Sequence, residues 1–204
     1  MISRLFLLPA LLLALVSAGC APLQPVPAAT PPATYEQHAE RVAQIRAFAL
    51  NGRIGVLSEK KGFSGTLHWH HHTEGDDIDF YSPIGTQLGS ISAGADGVTL
   101  TTSDQKTYTA QDAETLMQDT LGWSLPMAGL SNWVLGRPSA GEVQILAWDG
   151  QGRILHMRQN GWDIEYPHYM EAEGQQLPGK IVLKSQKLDL KLVIEQWVGI
   201  QAEE

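Results

Sequence analysis

The chain predicts a mainly β fold with helices: an antiparallel, eleven-stranded half-barrel curled over three short helices and enclosing an apolar cavity. Three observations carry this. Eleven short segments alternate apolar and polar residues and are separated by turn signals, the pattern of strands with one buried face. The helical stretches are three, short and apolar, too few to cover both faces of so many strands. A length of 204 residues, 43% of them hydrophobic, suffices for one domain with a sizeable core. Sequential strands joined by short turns pair antiparallel. A single sheet wrapped around the helices leaves an apolar space between them.

The first strand runs over Phe48–Ser58, with Gly52 at a bend or bulge. Gly62–Thr73 pairs with it across the turn Glu59-Lys60-Lys61, and Asp77–Ser82 and Gln87–Ala93 follow. Asp96-Gly97 is a hairpin signal leading into Val98–Thr102, with Lys106–Thr109 next. The second half supplies Val143–Trp148, Arg153–Gln159, Trp162–Tyr169, Lys180–Ser185 and Lys187–Trp197, with Asp149-Gly150 and Asn160-Gly161 at turns. In the last strand Leu188, Leu190, Leu192 and Ile194 alternate with Lys187, Asp189, Lys191 and Val193, one greasy face and one mostly wet.

The helices differ in character. Tyr35–Phe48 is amphipathic, with Ala39, Val42, Ile45 and Ala49 on one side and Thr34 placed to cap it. Gln111–Leu121 turns Ala113, Leu116, Met117 and Leu121 to one face. The third lies in the central segment Gly122–Pro138, which contains one charge, Arg137. Pro126 suits a first turn, and Met127, Leu130, Trp133 and Val134 recur at helical spacing. Gly136 ends that helix, and Pro138 cannot continue it.

The N-terminus carries an address. Residues 1–19 form a signal peptide: Arg4, then an apolar run from Leu5 to Val16 too short to span a bilayer. Ser17-Ala18-Gly19-Cys20 resembles the bacterial lipobox, which implies cleavage before Cys20, a diacylglyceryl group on its sulfur and an acyl group on its amine. Ala21 stands where an aspartate would resemble the inner-membrane retention signal, so the expected address is the outer membrane, lipid-anchored on the periplasmic face. Residues 20–34 join the lipidated cysteine to a tether rich in proline and alanine, with no charge. Residues 35–204 are then a single domain.

The formal net charge of −8 argues against nucleic acid as a partner. His68-Trp69-His70-His71-His72 is the loudest local signal. On a strand His68, His70 and His72 share one face, so a metal site is stereochemically possible, with Leu67, Trp69 and His71 facing inward. No further ligand pattern completes it. This leaves a periplasmic metal-binding lipoprotein as the alternative reading, with a solvated histidine face as the simpler one. Glu74, Asp76, Asp77 and Asp79 lack the spacing of a calcium loop. No nucleophile elbow, HExxH or phosphate loop occurs, and nothing nominates an enzyme or a cofactor beyond the acyl groups on Cys20. Ser82-Pro83-Ile84-Gly85 is the odd feature, an isoleucine at a type I turn tip. Ile84 either tucks back into the core or protrudes as a probe for lipid.

Together the lipobox, Ser82-Pro83-Ile84-Gly85, the central Gly-Trp-x-Leu-Pro-x-x-x-Leu-x-x-Trp-Val-Leu-Gly-x-Pro, the turn Asn160-Gly161-Trp162 and the last strand with Trp197 resemble the outer-membrane lipoprotein receptor family LolB. The resemblance covers nearly all of residues 20–204. It implies an eleven-stranded half-barrel over three helices with an apolar cavity. It further implies acceptance of acylated lipoproteins from the periplasmic carrier LolA and their insertion into the inner leaflet of the outer membrane, among its phospholipids, by a monomer. The family's insertion loop maps onto Ser82, Pro83, Ile84 and Gly85, with Ser82 in place of an asparagine. Trp69, Met117, Leu130, Trp133, Leu183 and Trp197 are the residues expected to line the acyl-chain cavity or its mouth. Lys180, Lys184, Lys187 and Lys191 are either a basic rim for the carrier or a solvated face.

Overall fold

Period-two burial builds the molecule. In the computed structural model, which describes residues 30–58, 62–113, 115–117 and 127–203, eleven strands form one open antiparallel sheet. They are β1 (Ile45–Ser58), β2 (Gly62–His72), β3 (Gly75–Tyr81), β4 (Gln87–Gly94), β5 (Gly97–Thr102), β6 (Thr107–Ala110), β7 (Val143–Trp148), β8 (Ile154–Gln159), β9 (Trp162–Ala172), β10 (Gln175–Lys184) and β11 (Leu188–Ala202). The order across the sheet is β6-β5-β4-β3-β2-β1-β11-β10-β9-β8-β7. Two meanders thus meet at β1 and β11. The edge strands are β6 and β7, so the chain between them must cross the whole inner face. That crossing holds helical residues at 113 and 115–117 and the central helix, Met127–Val134. Asp112 starts the first of these, its Oδ1 accepting from the Thr115 amide at 2.8 Å. The rest of the segments expected over Gln111–Leu121 and Gly122–Pro126, and the turn at 59–61, lies outside the described residues.

The inner face carries Ile54, Val56, Leu67, Trp69, Ile78, Phe80, Ile91 and Leu100 from the first meander, and Met157, Ile164, Tyr166, Ile181, Leu183, Leu190 and Leu192 from the second, all buried. Each such side chain contributes about 1.5–3 kcal/mol on burial. Gly52 sits where β1 shifts register against β11, as its sequence position predicts. A Cβ there would lie 2.5 Å from the Val193 carbonyl oxygen.

Two expected boundaries move. The N-terminal helix spans Ala33–Ala43, with Pro32 at its N-cap and no side-chain cap, so Thr34 lies inside it. β1 then begins at Ile45, not Phe48. The pairing of β1 with β11 shifts between Ile45 and Ala47 and again between Ala47 and Ala49. Those bulges put buried Ile45 three residues before buried Phe48, a helical spacing made by an irregular strand. The β9–β10 hairpin also runs longer than its expected limits at Tyr169 and Lys180. It turns at Glu173-Gly174, whose φ values of +47° and +80° suit a tight two-residue turn. Pro178 is tolerated inside β10 because a register shift follows it.

The N-terminal helix docks against the β7–β8 turn through bare backbone. Gly152, at φ +80°, approaches so closely that a Cβ would lie 2.4 Å from the Thr34 carbonyl carbon. Tyr35 meets Trp148 edge to face at 5.7 Å between centroids, and buried His38 lies edge-on to Tyr169 at 6.4 Å. Arg153 stacks over Tyr169 at 4.7 Å while its Nε donates to Asp149 at 2.6 Å.

The central helix is fixed at its C-terminal end. Gly136, at φ +76°, donates to the Trp133 carbonyl at 2.9 Å, and the Arg137 amide donates to that of Asn132 at 3.2 Å, a Schellman closure. Trp133 Nε1 donates to Gln159 Oε1 at 2.9 Å, and Tyr166 Oη donates to the Trp133 carbonyl at 2.9 Å. Gln159 Oε1 also accepts from the amide and hydroxyl of Ser139 at 2.9 and 3.1 Å, and its Nε2 donates to the Ser139 carbonyl at 2.9 Å. Arg137 donates from Nη1 to the carbonyls of Val42 and Ile45 at 2.7 and 3.3 Å, tying the central helix to the end of the N-terminal one.

Two outcomes test this description. Replacing Gln159 by Leu takes the acceptor from three donors, buried Trp133 Nε1 and the half-buried amide and hydroxyl of Ser139, and a buried unpaired group costs about 1–3 kcal/mol. Urea unfolding of Gln159→Leu should therefore show a loss of about 3 kcal/mol or more, and a loss below about 1 kcal/mol would mean that Gln159 does not hold the helix. Burial, with the charges of Arg41 and Arg153 outweighing that of Asp149, holds the His38 imidazole below its usual range. Tyr169, which faces it, and Tyr35, one turn earlier on the same helix, are pushed up and stay neutral at these pH values. The unfolded chain therefore takes the proton first, and stability contributed here is full above about pH 6.5 and declines below it. The melting temperature of His38→Phe should fall less between about pH 7.5 and 5.5 than that of the unchanged chain; parallel curves would remove His38 from the account.

Candidate functional site

Antiparallel pairing sorts the turns onto two rims. Among the described residues, the turns at 82–86, 103–106, 160–161 and 185–187 lie along one rim, and those at 73–74, 95–96, 149–153 and 173–174 along the other. The loop expected to touch lipid is on the first. Gly85 donates to the Ser82 carbonyl at 2.9 Å, closing the turn around Pro83 and Ile84. Ser82 fastens the base: its amide donates to the Thr86 carbonyl at 2.8 Å, and its Oγ accepts from the Thr86 amide at 3.1 Å. Gly85 takes φ +84°, as the residue after such a turn requires. Ile84 protrudes rather than tucking in, with 90% of its surface exposed. Proline and three local hydrogen bonds fasten this tip, so the exposed side chain is held out, not left loose.

Inside, Trp69, Met117, Leu130, Trp133, Leu183 and Trp197 all join one buried cluster. Trp69 and Leu130 come together at an apolar void of about 10 Å³ whose lining also includes Ile54, Leu67, Ile78 and Phe80. That volume is about what one water occupies and far below an acyl chain. Trp133 lies instead toward the second meander, 6.3 Å from Trp162 between ring centroids. Trp197 packs near the opposite rim, edge to face with Phe48 at 5.2 Å, its Nε1 donating to the Pro178 carbonyl at 3.1 Å.

Among the described residues, His68, His70 and His72 do not bring three ligand atoms within reach of one point. His68, His70 and His72 stand at alternate residues of β2, about 6.6 Å per step. They face Asp79 and Asp77 across the β2–β3 ladder, where His72 Nε2 lies 3.2 Å from Asp77 Oδ2. On the inner side Trp69 Nε1 and His71 Nδ1 both lie 2.7 Å from Asp76 Oδ1, a use for Asp76 that its sequence neighbourhood does not announce. Among the described residues His156, Asp163 and Glu165 bring ligand atoms within reach of one ion. There Asp163 is already engaged, 2.7 Å from His156 Nε2 and accepting from Arg158 Nε at 2.7 Å. Lys180, Lys184 and Lys191 stand on the outer face of β10 and β11, since Ile181, Leu183, Leu190 and Leu192 between them are buried.

Sequence reasoning missed Gln159, Tyr166 and the cross-tie made by Arg137. For Gln159 a signal existed: the Asn160-Gly161 turn sets the phase of β8, which turns Gln159 inward with Met157.

Comparison with known proteins agrees with this architecture. A family model for the outer membrane lipoprotein LolB matches residues 46–197. The chain is 38% identical over 182 residues to the outer-membrane lipoprotein LolB of Nitrosococcus oceani, covering 88% of this chain and 90% of that one. It is 34% identical to the outer-membrane lipoproteins LolB of Pseudomonas savastanoi pv. phaseolicola, over 88% of this chain and 89% of that one, and of Stutzerimonas stutzeri, over 91% of both. Among solved structures, a DUF1329 family protein from Desulfovibrio piger shares the fold at a TM-score of 0.53 with 8% identity, over 84% of this chain and 96% of that one. A LolA superfamily protein from Nitrosomonas europaea aligns at a TM-score of 0.49 with 10% identity, over 86% and 96%. The chain belongs to the outer-membrane lipoprotein LolB family.

Proposed function

We propose that this lipoprotein accepts acylated lipoproteins from the periplasmic carrier LolA and inserts them into the inner leaflet of the outer membrane, acting without covalent catalysis and without a cofactor. In this reading residues 1–19 are removed, Cys20 carries the acyl groups, residues 20–34 are a tether, and residues 35–204 do the handling. Two or more acyl chains make the anchorage practically permanent, and the proline-rich tether gives the domain reach from the membrane.

Acyl chains must pass between apolar sites without meeting water, because exposing them is what the hydrophobic effect opposes. Trp69, Met117, Leu130, Trp133, Leu183 and Trp197 are the proposed contacts. An arriving chain takes over the apolar contacts that Leu130 makes with β1, β2 and β3, a replacement of like by like. Affinity that rises from carrier to receptor to bilayer then moves the cargo with no nucleotide.

The observation that carries this reading is Ile84, a large apolar side chain 90% exposed on a fastened turn at the rim of a LolB-family half-barrel. A solvent-facing isoleucine held in place has no packing role, and it suits the first contact with a bilayer. Burying it contributes about 2 kcal/mol, whereas a charged side chain in that place costs about 2.5 kcal/mol or more. Ile84→Glu in the full lipidated chain should keep the melting temperature and lose at least about 100-fold in lipoprotein insertion into vesicles, with Ile84→Leu active. Unchanged insertion by Ile84→Glu would remove the loop from the mechanism.

A further inference from the structure

The rim that bears Ile84 carries a second feature. Between the β8–β9 turn and the β10–β11 turn lies a groove of about 400 Å³, lined by Arg158, Trp162, Asp163, Lys184 and Ser185 among others. We propose that this groove binds the headgroup phosphate of an anionic bilayer phospholipid, so that the rim meets the membrane at two points. This rests on the reading of Ile84 as the membrane contact.

The groove has the right groups for a phosphate. Arg158 lines the groove and donates from Nε to Asp163, with the side chain 59% exposed, so its other guanidinium nitrogens remain accessible to a ligand. Lys184 is held loosely, its Nζ 4.0 Å from Glu165 with 53% of the side chain exposed. Lys187, in the adjoining turn, has no ion-pair partner among the described residues. Three cations therefore stand against Asp163 and Glu165. Guanidinium and ammonium groups together are the usual recognition set for phosphate oxygens. Trp162 completes the groove as an indole steadied from behind by Trp133 at 6.3 Å. Such an aromatic, partly apolar and partly polar, suits the headgroup layer.

The charge of the two rims points the same way. On the opposite rim each of the four turns carries an acid: Glu74, Asp96, Asp149 and Glu173, against the single base Arg153. On the Ile84 rim the described turns carry Lys106 and Lys187 against the single acid Asp104. An anionic surface attracts one rim and repels the other. Ile84 and the groove are separated by four to six strand spacings, about 20–30 Å along the rim. One apolar point lets the domain rock on its tether; an apolar and a cationic point that far apart fix which rim faces the bilayer.

Amine footprinting tests this on the full lipidated chain in vesicles of phosphatidylcholine alone or with phosphatidylglycerol. Acetylation of Lys184 and Lys187, read by mass spectrometry, should slow at least threefold with phosphatidylglycerol, while Lys180 and Lys191 on the outer face should not change. Arg158→Gln, with an unchanged melting temperature, should lose most of that protection. Equal labelling in both vesicles, with lipoprotein insertion intact, would overturn the groove and leave the Ile84 reading standing. Insertion unaffected by Ile84→Glu would overturn the loop, while the footprint still judges the groove. Protection reproduced by inorganic phosphate in phosphatidylcholine vesicles would identify a free-phosphate site and also overturn the proposal.

Discussion

The structure depends on one constraint: the chain leaves its sheet at β6, one edge, and returns at β7, the other. An eleven-stranded sheet with one apolar face needs that face covered, and the crossing segment is the cover. Hydrophobic burial therefore dictates the apolar composition of Met127–Leu135, where a polar helix would leave the sheet's inner face wet. It also explains why the central helix is short. Its task is to span a curved surface and to fill it, which calls for close-packed side chains such as Leu130 and Trp133 more than for length.

The cover is held unevenly. At the Trp133 end it is bound by directional groups: Gln159, Tyr166, the Gly136 closure and Arg137 reaching the N-terminal helix. At the Leu130 side it meets apolar side chains around a small void. Directional bonds are costly to leave unmade, whereas apolar contacts exchange readily for other apolar contacts. In the proposed function this asymmetry lets an acyl chain enter beside Leu130 while the Trp133 end keeps its place. The same Trp133 backs Trp162, so the anchored end of the cover lies next to the cationic groove on the rim that bears Ile84.

Much of this was legible in the residues. The strands announced themselves through alternation and through turns such as Asn160-Gly161, because a half-buried sheet leaves a period of two in the sequence. The start of β1 did not, because two bulges against β11 gave Val42, Ile45 and Phe48 the spacing of a helix. The β9–β10 hairpin was hidden by Pro178, which reads as a break until a register shift is known to follow it. The site was legible in part. An isoleucine between Pro83 and Gly85 marks a turn, but whether Ile84 points in or out depends on whether space exists beneath it, a tertiary fact. Gln159 and Arg137 work through partners 20 to 95 residues away, distances at which local pattern carries no information.

The central claim is that cargo moves from carrier to this protein by exchange of apolar sites. The direct measurement incubates a fluorescently labelled, acylated lipoprotein bound to purified LolA with the full lipidated chain in detergent-free nanodiscs. The label should pass from the carrier without nucleotide, and a fatty acid that competes for the apolar interior should block it. A label that stays on the carrier, with the receptor folded by its melting curve, would contradict the account.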